Sequence, residues 1–259
     1  MDLGIAGRTA IVCAASKGLG RATAMQLAME GVNVVISART KADIEAAADD
    51  IRKVANVKVE ALACDVTTEE GRAMMLKACP NPDILINNAG GPPPGDFKNF
   101  TLEDWRKAVE WNMITPIALI KSTVYGMIDR KFGRIVNITS QSVKAPIASL
   151  ELSNGARAGL TGAIAVMARR AVRHNVTINN ILPGPFDTDR LKGSTQKMAD
   201  LQGISFDEAK KQRQDALPAG RFGTPAEFGQ AAAFLCAAQS GFITGQNLLL
   251  DGGGFPGAL

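Results

Sequence analysis

Only one histidine and one tyrosine occur in the 259 residues, and aromatic side chains make up just 5% of them. With His174 alone, and with Cys13, Cys64, Cys79 and Cys236 far apart and in no CxxC pair, a Cys/His metal site is not expected. Such scattered thiols suit buried cysteines in a reducing compartment. Long apolar runs are missing as well. The longest, Ala231–Ala238, has eight residues, whereas a membrane-spanning helix needs roughly 20. The opening stretch MDLGIAGRTAIV has neither the basic start nor the apolar centre of a secretory signal, so a cytoplasmic location is the expectation. Neither sign of charge dominates: 29 Lys and Arg face 25 Asp and Glu, giving +4 spread along the chain. Without a basic block or face, a nucleic-acid partner is not expected. What is abundant is ordinary hydrophobic residue, 46% of the chain, enough to bury a sizeable core.

Short β-branched runs alternate with longer helical ones from end to end. Thr9–Cys13, Asn33–Ser37, Val57–Leu62, Asp83–Ile86, Arg134–Thr139, Thr177–Leu182 and Asn247–Leu250 are predicted strands, nearly continuously apolar as strands buried on both faces are. Helices are predicted over Gly20–Glu30, Lys41–Val54, Thr68–Ala78, Leu102–Arg130, Leu150–Arg173 and Pro225–Ala238. Each crossover is long enough to return the next strand parallel. The pattern predicts one doubly wound α/β domain. Residues 187–217 break the rhythm, with six acidic and six basic residues and few strong apolar positions. This segment follows a strand's C-terminal end, where open α/β sheets bind ligands. It is either a solvated helical excursion or a lid over a substrate.

The first strand runs directly into Cys13-Ala-Ala-Ser-Lys-Gly-Leu-Gly20 and then a helix. Gly18 and Gly20, either side of Leu19, let the backbone approach a phosphate, and the helix that starts there presents unpaired N–H groups. The strict GxGxxG spacing is absent, so position in the fold carries the argument. At the end of the second strand stands Arg39, in Ser37-Ala-Arg39. A dinucleotide fold uses an acid there for a ribose 2′-hydroxyl, or a basic residue for a 2′-phosphate. Arg39, with Ser16 and Lys17, fits the phosphate; the ordinary alternative is a surface arginine.

Further motifs follow in order: Asp65-Val66, Asn87-Asn-Ala-Gly90, Gly133-Arg-Ile-Val-Asn-Ile-Thr-Ser140, Pro183-Gly184 with Thr188, Arg221-Phe-Gly-Thr-Pro225, and Ile243-Thr-Gly-Gln through Asp251-Gly-Gly. Together they make the chain resemble the short-chain dehydrogenase/reductase family over nearly its whole length, and its 3-oxoacyl-[acyl-carrier-protein] reductase-like members in particular. Cys13–Gly20 resembles the family's TGxxxGxG turn, with Cys13 for its Thr and Ala14 for its first Gly. The resemblance implies a single Rossmann domain, a doubly wound parallel sheet of about seven strands with helices on both faces. It further implies a nicotinamide dinucleotide, NADP(H) rather than NAD(H) given Arg39. The cofactor would lie along Ser16–Gly20, Arg39, Asp65 and Val66 at adenine, Asn88-Ala89-Gly90, Arg157, Pro183, Gly184 and Thr188. A small carbonyl or alcohol substrate and a homotetramer are implied too. The predicted helices Leu102–Arg130 and Leu150–Arg173 carry apolar residues on more than one face, as subunit interfaces require. The tail Asp251–Leu259 resembles a segment that packs at such an interface.

The family uses a tyrosine as acid/base, a lysine four residues on, a serine that orients the carbonyl, and an asparagine that supports a water relay. Ser140 matches the serine and Asn112 the asparagine. Pro116, four residues past Asn112, lacks an N–H, so the Asn112 carbonyl loses its helical partner. The tyrosine and lysine are absent: their positions hold Ser153 and Arg157. Spacing of four keeps both on one helix face, but an aliphatic hydroxyl is far less acidic than a phenol, and arginine stays protonated. Tyr125, the lone tyrosine, lies outside this spacing. Lys144, in the loop after Ser140, would supply a proton if partly desolvated; otherwise it is a surface lysine. Three readings follow: an NADP(H)-dependent oxidoreductase with an altered proton relay, a lyase or isomerase on the same scaffold, and a non-catalytic nucleotide-binding protein.

Overall fold

The predicted apolar runs become seven strands because their β-branched residues pack on both faces of one sheet. In the computed structural model, which describes residues 2–257, these are β1 (Thr9–Val12), β2 (Asn33–Ala38), β3 (Val59–Ala63), β4 (Ile84–Asn87), β5 (Gly133–Ile138), β6 (Val176–Pro183) and β7 (Asn247–Leu250). All pairings are parallel, in the order β3-β2-β1-β4-β5-β6-β7. The order reverses between β1 and β4, and that crevice is where a doubly wound sheet takes a ligand. Every residue of β4 and β5 is buried.

Nine named helices connect the strands among the described residues: α1 (Gly18–Met29), α2 (Lys41–Val54), α3 (Glu69–Ala78), α4 (Leu102–Val109), α5 (Thr115–Asp129), α6 (Glu151–Ala171), α7 (Asp189–Gln202), α8 (Phe206–Asp215) and α9 (Pro225–Cys236). One core, with Leu27, Ile44, Ile51 and Phe228, lies under α1, α2 and α9. The other, with Leu119, Met127, Leu160 and Ile164, lies under α5 and α6. Helix starts follow side-chain caps. Thr68 accepts from Gly71 N–H, and Thr101, Ser205 and Thr224 form capping boxes with Asp104, Glu208 and Glu227.

The single helix expected over Leu102–Arg130 is corrected to two. Between α4 and α5 the chain widens into a π turn over Glu110–Ile114. Pro116 has no N–H to offer Asn112, and Thr115 N–H instead donates five residues back, to the Glu110 carbonyl. Residues 187–217 form α7 and α8, joined at Gly203 with φ +66° and packed through Thr195, Ala199 and Ala209. No helix among the described residues is long and apolar enough to cross a membrane. Ala258 and Leu259, the end of the expected interface tail, lie outside the described residues.

Candidate active site

The turn from β1 to α1 is built for close backbone approach. Gly18 has φ +59°, the left-handed region that glycine tolerates. A Cβ on Gly20 would stand 2.5 Å from the Ala14 carbonyl oxygen and 2.7 Å from Asn88 Nδ2, so glycine is required there by packing. Asn88 Nδ2 donates to that same Ala14 carbonyl at 3.1 Å, which ties the loop after β4 to the glycine turn. Thr188 caps α7, and its methyl lies 3.6 Å from a Cβ built on Gly18. Gly90 has nothing within 4 Å of such a Cβ. Three loop segments thus bound an open, backbone-lined cradle at the switch point, a fit for a dinucleotide diphosphate. Leu19 contributes backbone only, its side chain packing against the core.

Around the cradle the other expected cofactor residues fall as follows. Arg39 is exposed at the end of β2 and makes no ion pair among the described residues. Lys17 pairs with Asp43 on the first turn of α2 at 3.2 Å; this carboxylate was not singled out from the sequence. Asp65 follows β3, and one of its oxygens accepts from Thr67 N–H at 3.0 Å and Thr67 Oγ1 at 2.8 Å. Val66 is buried and lines the cleft beside Asn88 and Ala89. Pro183 ends β6, and Gly184 N–H donates to the Leu250 carbonyl at 2.8 Å.

Deeper in, a narrow cleft is bordered by Asn87, Asn112, Asn137 and Arg157. Strand register places four asparagines side by side, and their amides run as one ladder. Asn87 Nδ2 donates to Asn137 Oδ1 at 2.8 Å, Asn137 Nδ2 to Asn180 Oδ1 at 3.0 Å, and Asn180 Nδ2 to Asn247 Oδ1 at 2.7 Å. The carbonyl end of the ladder, Asn87 Oδ1, is buried with no partner. Asn112, held in the π turn, also has a buried unpartnered Oδ1, and its Nδ2 reaches Gly90 O only at 3.5 Å. Two acceptors without donors in one cleft invite a bound water or ligand hydroxyl.

Ser153 and Arg157, on α6, are 6% and 7% exposed. Arg157 Nε donates to Ser153 Oγ at 3.2 Å, and Nη1 donates to the Ile138 carbonyl at 2.9 Å. Burial pushes the guanidinium down to about 10, and the charge of Arg190 adds to the shift. It remains a cation at neutral pH, held at two points without a carboxylate. Ser140 caps the short turn Gln141–Val143, its Oγ accepting from Ser142 N–H at 3.1 Å. That leaves its O–H free to donate.

Lys144 departs from its expected role. The turn that Ser140 caps carries it outward, where it is exposed with Nζ 5.7 Å from the Phe255 ring. The desolvation its role required is not there. His174 lies beyond the N-terminal edge of β6, within 3.1 Å of Lys131 Nζ, at the opposite end of the sheet from the cradle. Asn87, Asn137 and Arg190 join the site without having been assigned a role from sequence. Asn87 and Asn137 stand at matching places near the ends of their predicted strands, but neither reveals its pairing alone.

A family profile described as "Enoyl-(Acyl carrier protein) reductase" matches residues 13–254. The NADPH-dependent reductase BacG of Bacillus subtilis is 33% identical over 251 residues, covering 95% of this chain and 97% of that protein. The 3-oxoacyl-[acyl-carrier-protein] reductase FabG of Aquifex aeolicus is 28% identical over 98% of this chain and 100% of its own. Among solved structures, the L-sorbose reductase of Gluconobacter frateurii complexed with NADPH and L-sorbose superposes with a TM-score of 0.92. It is 27% identical, over 97% of this chain and 98% of that one. The chain belongs to the short-chain dehydrogenase/reductase family.

Proposed function

We propose that the protein is an NADP(H)-dependent oxidoreductase that interconverts a carbonyl and a hydroxyl group on a small molecule, working as a homotetramer with an altered proton relay. The carrying observation is the convergence of the glycine turn, the loop after β4 and the first turn of α7 on one cradle beside a cleft that holds a buried cation. BacG is NADPH-dependent by name, and the L-sorbose reductase holds NADPH. Arg39, with Ser16 and Lys17, binds the 2′-phosphate, Lys17 exchanging Asp43 for it. Asp65 and Val66 flank adenine. Gly18–Gly20, Asn88, Ala89 and Gly90 hold the diphosphate and adenosine side, and Pro183, Gly184 and Thr188 the nicotinamide side. The bound dinucleotide supplies or accepts hydride.

The chain's own groups do the rest. Ser140, its lone pair already taken by Ser142 N–H, donates its O–H to the substrate carbonyl oxygen. Arg157 orients the nicotinamide ribose and keeps positive charge near the developing oxyanion. Ser153 accepts from Arg157 Nε, which leaves its own O–H free to donate. It passes a proton from a water held by Asn112 rather than acting as the acid itself. Residues 187–217 are the lid. A positioned acid typically contributes about 10²–10⁴ in rate, so turnover on simple ketones is slow.

Tetramer formation is supported by two separate apolar surfaces. Tyr125 on α5 and Val166 on α6 are 61% and 52% exposed on one side of the sheet, and Phe234 and Phe242, 47% and 100% exposed, lie with α9 on the other. Titrating NADP⁺ and NAD⁺ into wild type and Arg39→Asp tests the cofactor. Wild type is expected to prefer NADP⁺ by about tenfold or more, from one charge-assisted contact, and Arg39→Asp to abolish the preference. Equal affinities in wild type overturn the assignment.

A further inference from the structure

The cleft is electrostatically one-sided. Arg157 is buried and fixed by Ser153 and the Ile138 carbonyl, while its Nη2 has no protein partner among the described residues. No Asp or Glu lines the cleft. A second guanidinium stands within its electrostatic reach. Arg190, on the first turn of α7, crosses to the loop after β4, where its Nη2 and Nη1 lie 2.9 and 3.1 Å from a Cβ built on Gly91. A side chain at position 91 would push the guanidinium aside. Arg190 makes no hydrogen bond or ion pair with the described residues, whereas its helix neighbour Lys192 pairs with Asp187 at 4.0 Å. The two cations are near enough for Arg190 to disfavour the charged form of Arg157. A desolvated guanidinium with a second, unpaired one in its field is unfavourable unless an occupant brings the counter-charge.

We propose that the substrate carries a carboxylate beside its reactive carbonyl, and that Arg190 is the residue that recognises it, in the field of Arg157. This rests on the oxidoreductase reading of the site. A planar guanidinium presents paired N–H donors that match the two oxygens of a carboxylate. Arg190 stands on the first turn of the lid and already lies against the Gly91 loop, so a bound carboxylate would hold α7 in place over the carbonyl end of the same molecule. Gly91 keeps the path of the side chain open.

The test is calorimetric titration of matched pairs into the NADP⁺ complex: pyruvate, phenylpyruvate and levulinate, each against its methyl ester. At least one acid is expected to bind about tenfold or more tightly than its ester. Arg190→Gln removes the charge, and Gly91→Ala displaces the guanidinium while keeping it. Both are expected to reduce the acid-to-ester ratio to about threefold or less, with NADP⁺ affinity changed by less than about threefold. Acids that bind no better than their esters overturn the proposal. So does a loss of NADP⁺ affinity in Arg190→Gln that equals the loss for the acid, because the guanidinium would then serve the cofactor diphosphate. If wild type binds no NADP⁺, the oxidoreductase reading fails instead. The same pairs titrated without nucleotide then decide the carboxylate assignment by the same two variants.

Discussion

Ala14 occupies a left-handed backbone conformation, φ +47°, at the position where related sequences carry the first glycine of the turn. A Cβ there meets the following carbonyl and costs roughly 1–2 kcal/mol. Ala14→Gly is therefore expected to raise the midpoint of thermal unfolding by about 2–4 °C, measured by circular dichroism; an unchanged or lower midpoint would show that the turn carries no strain. Arg157 offers a second residue-scale test. Its burial holds the guanidinium at about 10, below its ordinary value. A cation whose folded value is depressed is fully charged below that value, so NADP⁺ affinity should be level from about pH 7 to 9, above the titration of the 2′-phosphate itself at about 6, and fall above about 10. Between the two values the unfolded chain holds the extra proton, so stability contributed by this group increases with pH there. A titration near neutrality in the affinity profile would assign the site to another group. Restoring the usual pair with Ser153→Tyr and Arg157→Lys should increase ketone turnover by about tenfold or more, read by NADPH oxidation. No gain would mean that the missing phenol does not limit the rate.

At the scale of elements, the asparagine ladder joins β4, β5, β6 and β7 through side chains as well as backbone. Asn137 sits in its middle, 1% exposed, both donating and accepting. Asn137→Leu leaves Asn87 Nδ2 and Asn180 Oδ1 buried without partners. Each orphaned group costs about 1–3 kcal/mol, so a loss of about 2–6 kcal/mol in urea unfolding is expected. A neutral effect would show that water replaces the amide. The π turn works at the same scale. Asn112 lies in it, within reach of the Gly90 carbonyl, among the residues that line the cleft and with its own oxygen buried and unpartnered.

For the whole molecule, the two apolar surfaces on opposite sides of the sheet predict closed assembly through two interfaces. Sedimentation at micromolar concentration should give a tetramer. Tyr125→Lys with Val166→Lys should reduce it to a dimer that still binds NADP⁺, because neither residue lines the cradle. A wild-type monomer refutes the assembly. Its thiols are not expected to interfere, since burial pushes Cys13 and Cys236 up to about 12 and leaves them unreactive.

Local and periodic signals made most of the fold legible. Strands Asn247–Leu250 and helix Lys41–Val54 have the boundaries that their apolar pattern predicts, and Thr68, Thr101, Ser205 and Thr224 start helices through contacts three residues away. Ser153 and Arg157, at the spacing where the family resemblance implies a tyrosine and a lysine, can be read along the chain too. Other features depend on residues remote in sequence, and only the tertiary structure decided them. Lys144 has the spacing of a proton donor but turns outward, because the Ser140-capped turn and Phe255 set its direction. Asn87, Asn137, Asn180 and Asn247 become a ladder only through parallel register. Arg190 becomes part of the site only because α7 folds back onto Gly91. Hydrophobic period and capping act within a turn or two of chain and can be read along it, whereas register and loop approach are set by packing across the sheet.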